Sequence, residues 1–401
     1  MKIDVSAPRP PRLGLALSGG GSRAIAFHLG CLRALHDLGI LQQSKIISTV
    51  SGGSVIGAAY AYGGYSDFDE FDRDMVALLR TGLQRSMFGV VLFSRLTLPI
   101  FATLLLHLVP GLLFWVVRKV LSVTRAMTGL PVQSLQMWLL SGEDRLPVWA
   151  TLSTALEYVL DRRLFRGQGL GDVKHENIEV VINACDLRTG TAFRFGSRHS
   201  GGWRYGRISD ADAFPVAKAV AASAAFPVLL PPLIETFNFV RSGAAPREYE
   251  IALSDGGVFD NLGVNVLEPG RDPSISVNVS DVTHILCLNA GAGQSAIGSR
   301  TLWMMPRLKQ SFEIAHRRVQ EAAYSRLHRL VDSGLLSGFV MAYLGQEDAK
   351  LPAPPPDLVL RSAVREYPTD FAAMSEDSIR LLTTRGEQLT RLLVSRYLGD
   401  I

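Results

Sequence analysis

The serine at position 51 lies in the run TVSGG, between a β-branched stretch and a run of small residues. A serine at a sharp turn between a strand and a helix can hold its hydroxyl clear of the backbone and act as a nucleophile. The usual pattern has glycine two positions before and two positions after this serine. Gly53 keeps the second glycine, whereas Thr49 replaces the first. The pattern therefore indicates a nucleophile at Ser51 and leaves Ser54 as an alternative.

A nucleophilic serine needs a base, and the sequence offers two candidates. Asp255 follows a predicted strand at 250–253. A carboxylate at the C-terminal end of such a strand faces the catalytic edge of a parallel sheet. His284 comes after both Ser51 and Asp255, which is the chain order of the α/β-hydrolase triad. His284 begins a strand rather than following one, so the order of residues along the chain does not by itself decide between Asp255 and His284.

A glycine-rich run, SGGGSRA at 18–24, opens a predicted helix directly after a strand. Backbone N–H groups converge at such a turn and favour a negative charge. A dinucleotide site would need an acidic residue about 20 positions on, and residues 38–50 contain none. A phosphate-binding P-loop would need Gly-Lys-Ser/Thr where this run has Ser22 and Arg23. The third interpretation, an oxyanion hole, is the one that a nearby serine nucleophile favours.

The glycine-rich loop, the serine turn and the Asp-Gly-Gly sequence occur in the same order as in the patatin-like phospholipase family, which the chain resembles from about residue 12 to 290. Two further stretches are similar to that family, NACDL with the following TG and FRF at 183–195, and AVAASAAFPVLLPP at 219–232. Its members are lipid acyl hydrolases that use a Ser–Asp dyad without a histidine. The resemblance implies a serine hydrolase of acyl lipids that uses no cofactor and no metal.

When the family's residues are transferred one by one, the resemblance implies that Ser51 is the nucleophile and Asp255 is the base. We expect burial to raise the pKa of Asp255. Arg23 would steady the glycine-rich loop or contact a lipid phosphate. The backbone N–H groups of four loop residues would form the oxyanion hole, namely Gly19, Gly20, Gly21 and Ser22. Glycines would shape the two turns, with Gly52 and Gly53 at the serine and Gly256 and Gly257 beside the base. Thr49 and Ala24 depart from the family, which has glycine at both positions.

Strands that alternate with helices position these residues, and they predict a three-layer α/β fold around a mainly parallel central sheet. The predicted strands lie at 13–17, 45–50, 178–183, 250–253 and 284–288. Helical patterns at 302–336 and 371–398 predict a helical C-terminal extension at 295–401, after a hydrolase domain at 12–290.

The chain is 47% hydrophobic and 19% charged, against about 25% charged in an ordinary soluble domain. Residues 87–123 are its most apolar stretch, and residues 75–142 contain six basic residues and no Asp or Glu. A single crossing there would separate Ser51 from Asp255, and Pro99 and Pro110 interrupt the stretch. We therefore expect a partly inserted or lid-like hairpin that docks on an anionic membrane surface, with a buried pair of core helices as the alternative.

The sequence thus predicts a phospholipase A-type hydrolase that acts at a membrane surface on phospholipid or other acyl-lipid substrates. An acyltransferase or thioesterase on the same site, or a catalytically silent membrane-binding protein, are the alternatives. The net charge of +4 gives no support to a nucleic-acid partner, and the oligomeric state stays open. The N-terminal residues lack a signal-peptide pattern, and three cysteines lie in apolar runs, so we expect a cytoplasmic, peripherally or monotopically membrane-associated protein.

Overall fold

The structure is a computed structural model that describes residues 11–129, 131, 135, 146–175, 177–227, 229–241, 244–272, 276–293 and 303–398. The predicted start of the C-terminal extension at residue 295 and its last residues, 399–401, lie outside these ranges. Within them the chain forms a sheet of ten strands. They are β1 (Leu13–Leu17), β2 (Ser44–Val50), β3 (Glu179–Asp186), β4 (Thr191–Gly196), β5 (Gly201–Gly202), β6 (Gly206–Ile208), β7 (Leu233–Val240), β8 (Arg247–Asp255), β9 (His284–Asn289) and β10 (Gly338–Tyr343).

The first half of the sheet is parallel, in the order β10-β9-β1-β2-β3. Its central strand β1 is buried along its whole length, as in sheets that helices cover on both faces. The carboxyl ends of these strands meet at one edge. The loops that follow β1 and β2, which carry the glycine-rich run and Ser51, are therefore neighbours.

The second half of the sheet is antiparallel, from β3 through β4, β5, β6 and β7 to β8, and β8 returns to pair with the end of β3. The strands thus close into a ring around a cluster of phenylalanines that includes Phe193, Phe195, Phe237 and Phe239. The prediction of a mainly parallel sheet is wrong for this half, because a buried antiparallel strand is as apolar as a parallel one.

Eleven helices can be named among the described residues, apart from short 3-10 and π turns. They are α1 (Gly21–Asp37), α2 (Gly52–Tyr62), α3 (Phe68–Thr81), α4 (Leu83–Phe93), α5 (Thr97–Thr128), α6 (Leu152–Leu160), α7 (Val216–Ser223), α8 (Gly257–Asp260), α9 (Met304–Asp332), α10 (Arg361–Val364) and α11 (Glu376–Tyr397).

Helices cover the parallel half on both faces. On one face α1, α2 and α11 share a core with alternate residues of β1 and β9, such as Leu15 and Leu288. On the other face α9 packs Leu327 against Ile46 and Cys287. The expected three layers are therefore present around the parallel strands.

The C-terminal part of the chain is more than a set of helices. Strand β10 extends the sheet beside β9, and α11 crosses α1 so closely that side chains on Gly30 or Gly386 would collide with the opposite backbone. A buried arginine, Arg385, donates hydrogen bonds to the carbonyl oxygens of Leu344, Gln346 and Val359. The C-terminal residues therefore share a core with the rest, and the division near residue 290 remains a prediction.

The apolar stretch forms α4 and the long helix α5, which at 32 residues measures about 48 Å. Its first turns pack on the body, where Ile100 contacts Ala150 and Ala155. The Thr103 hydroxyl accepts hydrogen bonds from the N–H groups of Trp149 and Ala150, at 3.1 and 3.3 Å. The first turns of α5 and residues 149–150 therefore lie together on the body. Among the described helices only α5 is by itself long and apolar enough to cross a membrane, and 12% of its most apolar window is buried.

Candidate active site

Ser51 lies at the sharp turn between β2 and α2, with φ of 51° and ψ of −119°. Such a conformation is unfavourable for a residue with a side chain, by about 1–3 kcal/mol, and persists only where the surroundings hold it. The Ser51 N–H donates to the Ser223 hydroxyl at 3.0 Å, and that hydroxyl donates to the Asn183 carbonyl at 2.5 Å. The backbone of the predicted nucleophile is thereby fixed in the strained turn.

The glycines after Ser51 allow two loops to touch. A side chain on Gly52 would collide with the backbone of Gly21, and one on Gly53 would collide with the carbonyl oxygens of Leu17 and Ser18. Both predicted turn glycines are therefore required for the close approach of the serine turn to the glycine-rich loop.

Thr49, which replaces the expected glycine, is accommodated by a glycine elsewhere. Its methyl group points at Gly57 of α2, where even a Cβ atom would meet it at 2.5 Å. Its hydroxyl donates to the Val181 carbonyl at 3.3 Å and accepts from the Ser54 hydroxyl at 3.0 Å. The space lost at residue 49 is thus provided by Gly57, and the turn keeps its geometry.

Ser54, the alternative nucleophile, is fully buried. Its hydroxyl lies between those of Thr49 and Ser223, at 3.0 and 2.8 Å. It therefore supports the turn from inside the protein rather than facing a substrate.

Asp255 ends β8 and lies beside Ser51 at the carboxyl edge of the sheet. Its side chain is 3% exposed, and it is hydrogen-bonded to the Ser51 side chain and to the Gly257 N–H, the latter at 2.6 Å. Burial raises the pKa of Asp255 to about 6, although these two hydrogen bonds lower it. The carboxyl is thus a better proton acceptor than an ordinary aspartate, in the direction that we expected.

The two glycines after Asp255 also permit close contacts. A side chain on Gly256 would collide with the Asn183 carbonyl, and one on Gly257 would crowd Asp255 and Asn261. The backbone that follows Asp255 can consequently lie directly against β3.

The glycine-rich loop passes directly over Ser51, because a Cβ atom on Gly19 would lie 3.2 Å from that of Ser51. Two of its four predicted oxyanion donors have other acceptors. The Gly19 N–H donates to the Asn261 carbonyl at 3.0 Å, and the Ser22 N–H donates to the Asp370 carbonyl at 2.6 Å. Gly20 and Gly21 remain as candidates, because the opening N–H groups of a helix have no acceptor within it.

Arg23 holds the loop rather than pointing away from it. Its Nε donates to the Ala290 carbonyl at 3.0 Å, and a terminal nitrogen donates to the Tyr367 carbonyl at 2.9 Å. Burial lowers its pKa. Of the two predicted roles, these contacts match the steadying of the loop.

His284 lies at the opposite edge of the sheet from Ser51. It is the first residue of β9 and pairs with Leu13 at the start of β1, whereas Ser51 follows the far end of the parallel strand β2. Histidine therefore does not complete a triad from this position. Among the described residues no group of three or more His, Cys, Asp or Glu side chains could hold a metal ion.

Sequence reasoning missed the C-terminal contacts of the site. The carbonyls of Tyr367 and Asp370 hold the glycine-rich loop, and the His316 ring of α9 hydrogen-bonds to the backbone of Gly257. No local motif marks these residues, because their role depends on the tertiary packing of α9 and of the segment before α11.

Among solved structures the chain is similar to human GIVD cytosolic phospholipase A2, with a TM-score of 0.54 and 14% identity over 95% of this chain. It spans 58% of that protein, and at this identity the likeness concerns the fold alone. VipD from Legionella pneumophila matches at 15% identity over 98% of this chain and 68% of its own, but its TM-score of 0.36 is too low to carry an argument.

No curated protein matches the sequence. The family described as patatin-like phospholipase matches residues 15–267, which is more than half of the chain and includes Ser51 and Asp255. This chain belongs to the patatin-like phospholipase family.

Proposed function

We propose that this protein hydrolyses acyl esters of phospholipids or related lipids, with Ser51 as nucleophile and Asp255 as base. The observation that carries the proposal is the strained serine turn beside a buried carboxyl whose pKa burial raises to about 6. Family membership supports the substrate class.

The proposed reaction begins when the Ser51 Oγ attacks the ester carbonyl and Asp255 accepts the hydroxyl proton. The N–H groups of Gly20 and Gly21 stabilise the oxyanion, at about 3 kcal/mol for each donor. The alcohol leaves with the proton from Asp255. Water then attacks the acyl-enzyme, Asp255 accepts and returns a proton, and the fatty acid departs from Ser51.

We further propose that α5 attaches the protein to an anionic membrane surface, as a peripheral or monotopic anchor. Large apolar side chains are exposed along the helix, including Phe101, Leu104, Leu105, Leu108, Leu112, Leu113 and Trp115. Water-exposed apolar surface of this extent is typical of interaction sites. Since both ends of the insertion lie on the body, Ser51 and Asp255 stay on one side of the membrane.

The Ser51→Ala variant tests the nucleophile. We expect it to lose labelling by a fluorophosphonate probe and to hydrolyse phosphatidylcholine at least roughly a thousandfold more slowly than the wild type. Ser54→Ala is the matched control and should still label. Labelling that survives Ser51→Ala and disappears in Ser54→Ala would move the nucleophile to residue 54.

An acyltransferase or thioesterase would use the same two residues. Product analysis with and without an added acceptor alcohol identifies an acyltransferase, because a hydrolase releases free fatty acid under both conditions. Comparing the rates for an acyl ester and for the matching acyl thioester identifies a thioesterase. A wild-type protein that does not label would favour the silent membrane-binding alternative.

A further inference from the structure

A solvent-accessible cavity of about 260 Å³ lies on the outer face of the antiparallel ring. Arg194 of β4 points into it, because its neighbours Phe193 and Phe195 point to the opposite face and into the core. Arg271 lines the same cavity, and the aromatic side chains of Trp203 and Phe259 form part of its wall. The lining does not include Ser51 or Asp255, so the cavity is distinct from the candidate active site.

The two arginines in this cavity converge on one neutral acceptor. Each donates from a terminal nitrogen to the Asn265 side-chain oxygen, Arg194 at 3.3 Å. The Nε atoms of both are buried and have no hydrogen-bond partner in the part of the chain that the structure describes. Arg194 is 7% exposed, so it has little access to water as a substitute. An unpaired buried donor on a charged group is costly.

The nearby carboxylates are mostly used by other groups. The Asp260 oxygens accept from the N–H groups of Leu262, Gly263 and Asn265. Glu268 pairs with Arg326 at 2.9 Å and contacts Arg271 only at 3.5 Å. Among the residues that the structure describes, the two guanidinium groups are thus brought together without a full set of acceptors.

We propose that this cavity is a binding site for a phosphate-bearing molecule, whose phosphate oxygens accept from Arg194 and Arg271. Guanidinium groups form planar, paired hydrogen bonds with phosphate oxygens. They bind a phosphate more strongly than they bind a neutral amide such as that of Asn265. The cavity is larger than a phosphate group alone, and Trp203 and Phe259 offer apolar contact to the rest of the ligand. The same chemistry fits a soluble phosphate ester or a lipid headgroup.

Titration calorimetry with glycerol 3-phosphate tests the site, using the Ser51→Ala chain so that no turnover occurs. We expect saturable binding that weakens about tenfold or more in a further Arg271→Gln variant, because one charge-assisted pair is lost. Arg188→Gln is the matched control, since Arg188 is exposed, pairs with Glu250 and does not line the cavity. It should bind as tightly as the parent.

Thermal unfolding of Arg271→Gln without ligand separates binding from folding. A binding arginine without a full set of partners should leave the melting temperature unchanged or raise it. A lower melting temperature together with unaltered anion binding would show that Arg271 is only structural, and would overturn the proposal.

Vesicles of phosphatidylcholine with and without phosphatidic acid distinguish the two sources of phosphate. If glycerol 3-phosphate binds and Arg271→Gln leaves vesicle binding unchanged, the ligand is a soluble ester. If Arg271→Gln weakens binding only to the vesicles that contain phosphatidic acid, the ligand is a lipid headgroup. The proposal would be overturned if neither glycerol 3-phosphate nor the phosphatidic acid vesicles bound saturably, or if citrate bound and phosphate did not. Either result would count whatever the outcome for Ser51.

Discussion

The pKa of Asp255 sets the pH range in which the proposed dyad works. A base must be ionised, and burial raises this pKa to about 6. We therefore expect kcat/KM for a soluble ester to fall about tenfold per pH unit below pH 6 and to level off above it. Rates from pH 4.5 to 8.5 measure this. A flat profile down to pH 4.5 would contradict a base with a raised pKa.

The same residue should lower stability at neutral pH. The folded pKa of Asp255, about 6, exceeds the unfolded value near 3.9, so its contribution to stability is fully present below pH 4 and is lost as the pH rises through 6. At pH 8 we expect the free energy of unfolding of Asp255→Asn to exceed that of the wild type by up to about 3 kcal/mol. The variant should therefore unfold at a higher urea concentration. At pH 4 the difference should vanish.

Asp210→Asn serves as the control for this effect, because Asp210 is exposed. It should change the free energy of unfolding little at either pH. An Asp255→Asn variant that is less stable than the wild type at pH 8 would mean that the carboxylate supports the fold.

Between elements, the contact of β2 with α2 depends on the pairing of Thr49 with Gly57. Gly57→Ala places a methyl group against Thr49 and Leu17, and we expect it to cost about 1–3 kcal/mol of unfolding free energy. Adding Thr49→Gly should recover part of that cost, so the two changes will not be additive. Urea unfolding of both single variants and the double variant measures the coupling.

Gly89→Ala is the matched control for that cycle. Gly89 lies in α4 with open space around the position of a Cβ atom, so alanine should stabilise the protein by about 0.5–1 kcal/mol. Strict additivity of the Thr49 and Gly57 changes would mean that Gly57 does not provide the space for threonine.

The exposed face of α5 makes a separate prediction. Leu105, Leu108 and Leu112 lie on one side of the helix, each about 60% exposed. Changing all three to glutamine should weaken binding to anionic vesicles at least about a hundredfold, since each buried leucine contributes about 1.5–3 kcal/mol. Hydrolysis of a soluble ester should not change. Co-sedimentation and ester assays measure the two effects.

Leu308→Gln is the control for surface apolarity, because Leu308 is 58% exposed but lies on α9. It should leave vesicle binding unaltered. If the triple change instead lowers the unfolding free energy and spares vesicle binding, α5 is part of a core and not an anchor.

At the scale of the whole molecule, the glycine-rich loop depends on contacts between residues that are far apart in the chain. Arg23→Lys keeps the charge but cannot reach both the Ala290 and Tyr367 carbonyls with the same geometry. We expect kcat to fall about tenfold with little change in KM. Arg33→Lys is the control, since Arg33 lies in the same helix and pairs with Asp72, away from the loop. Equal losses in both variants would contradict a role in positioning.

Local sequence predicts the nucleophile turn and the strand that ends at Asp255, because each is a short apolar run followed by glycines. Strand direction is not local, so the antiparallel ring was not predicted, although alternation at Phe237 and Phe239 marks β7 as a half-buried strand. Tyr367 and Asp370 contact the loop through their backbone carbonyls, so their residue types do not reveal this role. Contacts made by backbone across 340 or more residues cannot be read from a motif.

The contacts between the glycine-rich loop and the segment before α11 also determine when the site can form during synthesis. The glycine-rich loop is synthesised before residues 367 and 370, so its contacts at Tyr367 and Asp370 become possible only after those residues have emerged. At about 5–20 residues per second, the loop emerges roughly 20–70 seconds before those partners. A nascent chain that has not yet reached Tyr367 would therefore carry its serine turn without these contacts of the glycine-rich loop, and the proposed hydrolysis would begin only after they form.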